Sequence, residues 1–338
     1  MYAIYKKKGI DKMAFNARTD LAVEAREMYI ESSAATETEG VEAEEESTDG
    51  GILITRVRIT DKDGEKKLGK NMGTYITIDM PSDLTDKQSV YEDACRVCAK
   101  ELSALIKLNR DDTVLVIGLG NWNITADALG PKTVKSVLIT RHLIEYMPEE
   151  IDSRLRPVCA VSPGVLGITG VETAEIVLGL TERVKPSLII AIDALCSRRM
   201  ERVNSTIQIT DTGITPGAGI GNRRLALDQK TLNVPVIAIG VPTVVDAATI
   251  TSDTIELILE ELKLNAGEGK PLYKILKTVS DEDKYGLIKE VLTADYGNFV
   301  VTPKEVDTVV DEISGVIANG INIALHEGVT LADIDRYR

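Results

Sequence analysis

From Ile52 the chain alternates apolar and polar positions, I-L-I-T-R-V-R-I-T, breaks at Asp61-Lys62-Asp63-Gly64 and resumes through Tyr75-Ile76-Thr77-Ile78. Period-two alternation on both sides of a turn-forming break predicts a hairpin or two adjacent antiparallel strands. Between Asp86 and Leu108 the period becomes helical, V-Y-x-x-A-x-x-V-x-x-x-L-x-x-L, just after the start signal Pro81-Ser82-Asp83. Short apolar runs then alternate with helical stretches. Strands are predicted over 113–118, 157–161, 187–193, 206–210 and 234–240, and helices over about 131–146, 171–183 and 245–264. That rhythm implies an α/β fold, a mostly parallel sheet flanked by helices, to which the hairpin is an addition. Asn265 to Leu272 reads as a polar, glycine-bearing linker. Helices over about 281–293 and 303–325 would make residues 266–338 a C-terminal helical extension that caps the domain or pairs with another subunit.

Composition narrows the picture. A chain of 338 residues with 43% apolar content can bury an ordinary globular core, in one large α/β domain or two smaller ones. The formal charge of -14 argues against nucleic acid as a direct partner, because phosphate neutralisation needs clustered excess Lys and Arg. Charge is uneven along the chain: residues 1–20 set Lys6, Lys7, Lys8, Lys12 and Arg18 against Asp11 and Asp20, whereas residues 33–50 hold seven acids and no base and should be a mobile acidic loop. Cysteines at 95, 98, 159 and 196 are too few and too scattered for a disulfide scaffold, which fits a reducing cytoplasm. Gly9-Ile10-Asp11-Lys12 follows the basic start where an export signal would need an apolar stretch, and the chain has no uninterrupted apolar run of membrane-spanning length. The expectation is a soluble protein without a membrane partner.

Two apolar runs end on aspartates. Val114-Leu115-Val116-Ile117 leads through Gly118-Leu119-Gly120-Asn121-Trp122-Asn123 to Asp127, and Leu188-Ile189-Ile190-Ala191-Ile192 delivers Asp193. In open α/β sheets ligands bind outside the carboxyl ends of the strands, so both acids are candidates to face one crevice. Held close, two carboxylates cannot both ionise easily: one stays protonated and the other accepts a proton from water, the least apparatus that activates water against a peptide bond. The bland alternative is a pair of capping or solvent-exposed aspartates.

The words around these residues, G-L-G-N-W-N-x-T-x-D-A-L-G-P, then A-I-D-A-L, then D-T-G-I-x-P-G-x-G-x-G-N from Asp211 to Asn222, resemble the germination protease family of spore-forming bacteria. The likeness runs from Arg18 to about Thr302. It implies a sequence-specific endopeptidase, an atypical aspartic protease that degrades small acid-soluble spore proteins, assembles as a homotetramer and resides in the cytoplasm of the forespore and spore core. It also implies that Asp127 and Asp193 are the catalytic pair, that no cofactor or metal takes part, and that the fold is similar to that of hydrogenase-maturation proteases. Cleavage in the family follows an acidic residue, so an arginine that reads it is expected; Arg198, Arg199, Arg223 and Arg224 are candidates that nothing in the sequence ranks.

Thr19-Asp20-Leu21-Ala22-Val23-Glu24 is similar to the site cut in the family's substrates: a hydroxyl, an acid, a large apolar residue, alanine, then an acid two positions later. The chain is therefore expected to be a zymogen that severs its own Asp20-Leu21 bond, with residues 1–20 as a basic propeptide and 21–338 as the α/β endopeptidase domain.

Other motifs read as structure. Asp211-Thr212-Gly213 copies the pepsin-type signature, but one copy in a βαβ context reads as a turn. The glycine turn after Ile117 lacks the third glycine of a dinucleotide site. Pro163 to Gly170 could offer amides to an oxyanion, and Cys95-Arg96-Val97-Cys98 reads as helix packing, with no second pair or nearby histidine to hold zinc. His142 and His326 both fall within or near predicted helices, which disfavours a nucleophile triad. Two rivals stay open: a noncatalytic peptide-binding module and a metal-dependent hydrolase.

Overall fold

A computed structural model describes residues 19–33, 38–81, 88–216, 225–266, 288, 290–292 and 299–337. The basic leader up to Arg18, the loop carrying Arg223 and Arg224, and most of the predicted helix 281–293 lie outside the described residues. In chain order the elements are α1 (Ala22–Ser33), β1 (Val41–Ser47), β2 (Leu53–Ile59), α2 (Lys62–Leu68), β3 (Gly73–Asp79), α3 (Gln88–Leu105), β4 (Val114–Gly118), α4 (Leu129–Ser136), α5 (Arg141–Tyr146) and β5 (Val158–Val161). There follow α6 (Leu166–Thr169), α7 (Thr173–Val184), β6 (Leu188–Ser197), β7 (Thr206–Thr210), α8 (Gln229–Leu232), β8 (Val236–Asp246), α9 (Ala247–Ala266), β9 (Val300–Val301), α10 (Val306–Leu325) and α11 (Leu331–Tyr337).

The strands form one sheet in the order β1-β2-β3-β7-β8-β6-β4-β5, with β9 added beside β8. Its parallel centre, β8-β6-β4-β5, carries the alternating α/β units that the apolar rhythm predicts. The wing β1-β2-β3 is antiparallel, and β7, expected within the parallel run, is antiparallel to both β3 and β8. On one face Val116, Ile190, Ile192, Ile207, Ile209, Ile237 and Ile239 pack with α3, α4 and α10 in the main core; on the other, Leu115, Ile117, Ile189 and Ala191 pack under α7. α10 is the one described helix long and apolar enough to cross a membrane, yet 61% of its apolar window is buried. Its Val310, Ile313, Val316, Ile317 and Ile321 fill the main core, so it is a central element rather than a peripheral cap.

Three local expectations are corrected. The acidic stretch 33–50 is not a loop throughout, since Val41–Ser47 is an edge strand on β2 whose Glu46 meets Arg56 at 2.7 Å and Lys100 at 3.3 Å. Cations from β2 and α3 offset the self-repulsion that composition alone suggested, and a charged edge resists further pairing. β2 and β3 are adjacent antiparallel strands, the second of the two expected arrangements, but Asp61-Lys62-Asp63-Gly64 is no tight turn between them; the Asp61 carboxylate accepts from the Asp63 and Gly64 amides and starts α2. The predicted helix 131–146 splits into α4 and α5, because the Thr140 amide donates to the Val158 carbonyl of β5 and the Thr140 hydroxyl accepts from the Val158 amide.

Candidate active site

β4 stops at Gly118, and its last hydrogen bond to β6 runs from the Leu119 amide to the Ile192 carbonyl, 2.8 Å. β6 continues to Ser197, so Asp193 lies mid-strand rather than at the strand end that the sequence suggested. Alternation puts Asp193 on the face of Ile189 and Ala191. It is 6% exposed, and its Oδ1 accepts from the Ala194 amide at 2.9 Å. Register aligns Asp193 with Gly240 of β8, and Gly240 with Gln208 of β7. Aspartate and glutamine thus stand on one face roughly 10 Å apart, two strand spacings, with a residue that has no side chain between them. The Leu195 side chain lies over Gly240, and beside it is a cavity of about 270 Å³ lined by Asp193, Leu195, Gln208, Lys70, Tyr75 and Asp20 among others.

Asp127 reaches the same strand ends by another route. Gly120 has φ +112, and a side chain there would collide with the Asp127 carbonyl, so only glycine lets the loop fold back. The Asn121 amide donates to that carbonyl at 2.9 Å, and residues 125–127 form a 3₁₀ turn that packs on β6 and β8. Thr243 of β8 fastens it by donating to the Ala126 carbonyl at 2.6 Å. Asp127 is half-buried at the carboxyl ends of the strands whose cavity holds Asp193, but it is not among the residues lining that cavity.

The chain's own Thr19–Glu24 runs past the cavity, and Asp20 lines it. Beyond the end of β4, Cys196 presents its backbone to the vacated side of β6. Its carbonyl accepts from the Asp20 amide at 2.9 Å, and its amide donates to Asp20 Oδ2 at 2.8 Å. Strand-like pairing of this kind is a common way to hold an extended peptide. Leu21 and Val23 pack on Leu195 and Ile214, while Ala22 is enclosed by Val57, Ile59, Leu68 and Tyr75. The Ala22 amide donates to Gln208 Oε1 at 2.7 Å. Glu24, 1% exposed, accepts from the Arg198 and Arg199 amides at 2.7 and 3.0 Å and from the Thr19 hydroxyl. Every distinctive residue of T-D-L-A-V-E is thereby in a fitted place.

Of the four arginines expected as readers, Arg198 and Arg199 are described, and their side chains do not contact Asp20. Arg198 and Arg199 use their backbone on Glu24, and the side chain of Arg199 meets Glu27 and Glu31 of α1 at 3.5 and 3.3 Å. Arg202, not singled out from sequence, grips Glu27 with two hydrogen bonds, 3.0 and 2.7 Å. Among the described residues the cation at the docked bond is Lys70, delivered by the left-handed Gly69 that ends α2; it donates to the carbonyls of Thr19 and Asp20 at 3.1 and 3.0 Å. Desolvation pushes the Lys70 pKa down, against the opposing pull of Asp20 and Glu24.

The remaining motifs are structural. Asp211 accepts from the Thr74 amide at 2.8 Å and ties its turn to β3. The amides of Ile168, Thr169 and Gly170 are used within their own turn. Cys95 and Cys98 are buried between α3 and α10, and desolvation pushes each thiol up to about 12.

An α/β protein that lays an extended peptide across the carboxyl half of a central strand, beside a buried aspartate, is built to hold a polypeptide in place for chemistry. Comparison with known proteins narrows this class. The profile of the germination protease family matches residues 22–278 and 263–338. The germination protease of Clostridium tetani is 53% identical over 323 residues, 95% of this chain and 99% of that protein. That of Bacillus pumilus is 43% identical over 369 residues, covering 98% and 99%. The chain belongs to the germination protease family, and it is a peptidase. Among solved structures a hydrogenase maturation protease of Thermococcus kodakarensis overlaps 39% of this chain and 74% of its own, at 19% identity and a TM-score of 0.26, which is too loose to carry an argument.

Proposed function

We propose that this chain is a sequence-specific endopeptidase, made as a self-processing zymogen, that begins the degradation of small acid-soluble spore proteins during germination. The observation that carries the reading is the seating of Thr19–Glu24, with Asp20 and Asp193 lining one cavity. Residues 1–20 are then a propeptide and Asp20-Leu21 the processed bond. Asp127 and Asp193 act as an aspartate pair: one takes a proton from water as it attacks the carbonyl carbon, the other supplies a proton, and the leaving nitrogen departs as an amine. A substrate segment such as T-E-F-A-S-E matches T-D-L-A-V-E in its hydroxyl, acid, alanine and final acid, and would take the same seat. Assembly as a homotetramer and residence in the forespore and spore core complete the proposal by family resemblance.

The test is to incubate the chain beginning at Leu21, the product of self-processing, with a peptide carrying T-E-F-A-S-E and follow fragments by mass spectrometry. Two fragments split between Glu and Phe are expected, with chelator without effect and with Asp127→Asn and Asp193→Asn each slower by at least about 10³-fold. A binding module would give no fragments, and a metal-dependent hydrolase would stop in chelator.

A further inference from the structure

The carbonyl oxygen of Asp20 receives two side-chain hydrogen bonds, from Lys70 Nζ at 3.0 Å and from Gln208 Nε2 at 3.2 Å. Both donors line the cavity that also holds Asp193. The glutamine amide spans the Asp20-Leu21 bond: its nitrogen donates to the carbonyl before the bond, and its oxygen accepts from the Ala22 amide after it. Lys70, just beyond the end of α2, donates to the same oxygen. On the reading that Asp20-Leu21 is cleaved, that oxygen is where negative charge gathers when water attacks.

We propose that Lys70 and Gln208 are catalytic residues, the paired donors that hold the oxyanion of the scissile carbonyl. Water adds to the Asp20 carbon, and its proton passes to the aspartate pair. The carbonyl electrons move onto the oxygen between Lys70 and Gln208. As the carbon–nitrogen bond breaks those electrons return, and a proton from the pair reaches the Leu21 nitrogen, leaving a carboxyl group on Asp20 and an amine on Leu21. A donor aimed in advance at the charge that develops in the transition state is worth more there than in the ground state, and a cationic donor is worth more than a neutral one. Neither residue belongs to the aspartate pair. The proposal deepens the peptidase reading and rests on it.

The experiment follows the first-order appearance of a chain beginning at Leu21 from full-length protein, by intact mass, in parent, Lys70→Met, Gln208→Glu and Asp193→Asn chains. Gln208→Glu keeps the acceptor for the Ala22 amide and removes the donor to Asp20. Each of the first two variants is expected to slow processing by about 10²–10³-fold, with the melting midpoint and the exchange protection of the Ala22 amide as in the parent. Should Lys70→Met fail to fold, Gln208→Glu, equal in volume, carries the test. If both variants process within about threefold of the parent while Asp193→Asn is inactive, the donor pair is overturned and the peptidase reading stands. If the parent cuts a peptide carrying T-E-F-A-S-E but processes itself at another bond, the pair is likewise overturned. If the parent cuts neither, the peptidase reading and the donor pair fall together.

Discussion

Glu24 shows how much one side chain can be asked to do. Its carboxylate, almost fully buried, is held by two backbone amides and the Thr19 hydroxyl. Hydrogen bonds to a charged group contribute about 1.5–3 kcal/mol each, and a buried amide left without its acceptor costs a similar amount. A T-E-F-A-S-Q peptide is therefore expected to be cut with kcat/KM about 10- to 100-fold below that of T-E-F-A-S-E, measured by direct competition in one tube. The spacing of Thr and Glu was visible in the sequence. Their partners were not: the Arg198 and Arg199 amides carry no sequence signal, and Lys70 sits among Lys62, Lys66 and Lys67, where it reads as one more solvated cation. Gln208 did leave a trace. In Thr206-Ile207-Gln208-Ile209-Thr210 the alternation suggests a strand with one wet face, yet all five residues are buried, and a polar face turned inward is what lines a polar cavity.

Elements were legible where the apolar period was long and failed where a distant partner intervened. The interruption between α4 and α5 is an instance. Asn322 of α10, fully buried, accepts from the Leu138 amide at 2.9 Å and donates to the Ser136 carbonyl at 3.2 Å. The Ser136 carbonyl is one that the ending helix leaves open, and the Leu138 amide lies just past its cap. Asn322→Ala should strand both and lower unfolding stability by roughly 2–4 kcal/mol, read as a shift of the urea midpoint at unchanged slope. No local pattern near residue 137 announces a partner 184 positions away. The strand Val41–Ser47 was missed for the same reason, since its cations arrive from β2 and α3.

At the scale of the chain, acid should weaken the fold through His326. It is 2% exposed at the end of α10, and its Nδ1 accepts from the Arg156 amide at 3.2 Å. Desolvation, helped by the Arg156 guanidinium, pushes its pKa down from 6.5 to about 4. The neutral ring is thus favoured by the fold. Its contribution, on the order of 3 kcal/mol, is complete above the unfolded value near 6.5 and is lost as pH falls through 4. The thermal midpoint of the parent should drop between pH 6.5 and 4 more steeply than that of His326→Gln, whose side chain takes up no proton; equal slopes would overturn the assignment.

The order of strands and helices, the two aspartates that follow apolar runs and the T-D-L-A-V-E word are properties of neighbours along the chain, and neighbours obey local periodicity and turn chemistry. Which strands run antiparallel, why a helix stops at Ser136, and that Lys70, Gln208 and two plain amides converge on Thr19–Glu24 are matters of contact between segments 50 to 190 residues apart. Such contacts are chosen by burial and by the need to pair every buried polar group once the sheet has closed. A single sequence does not record that accounting.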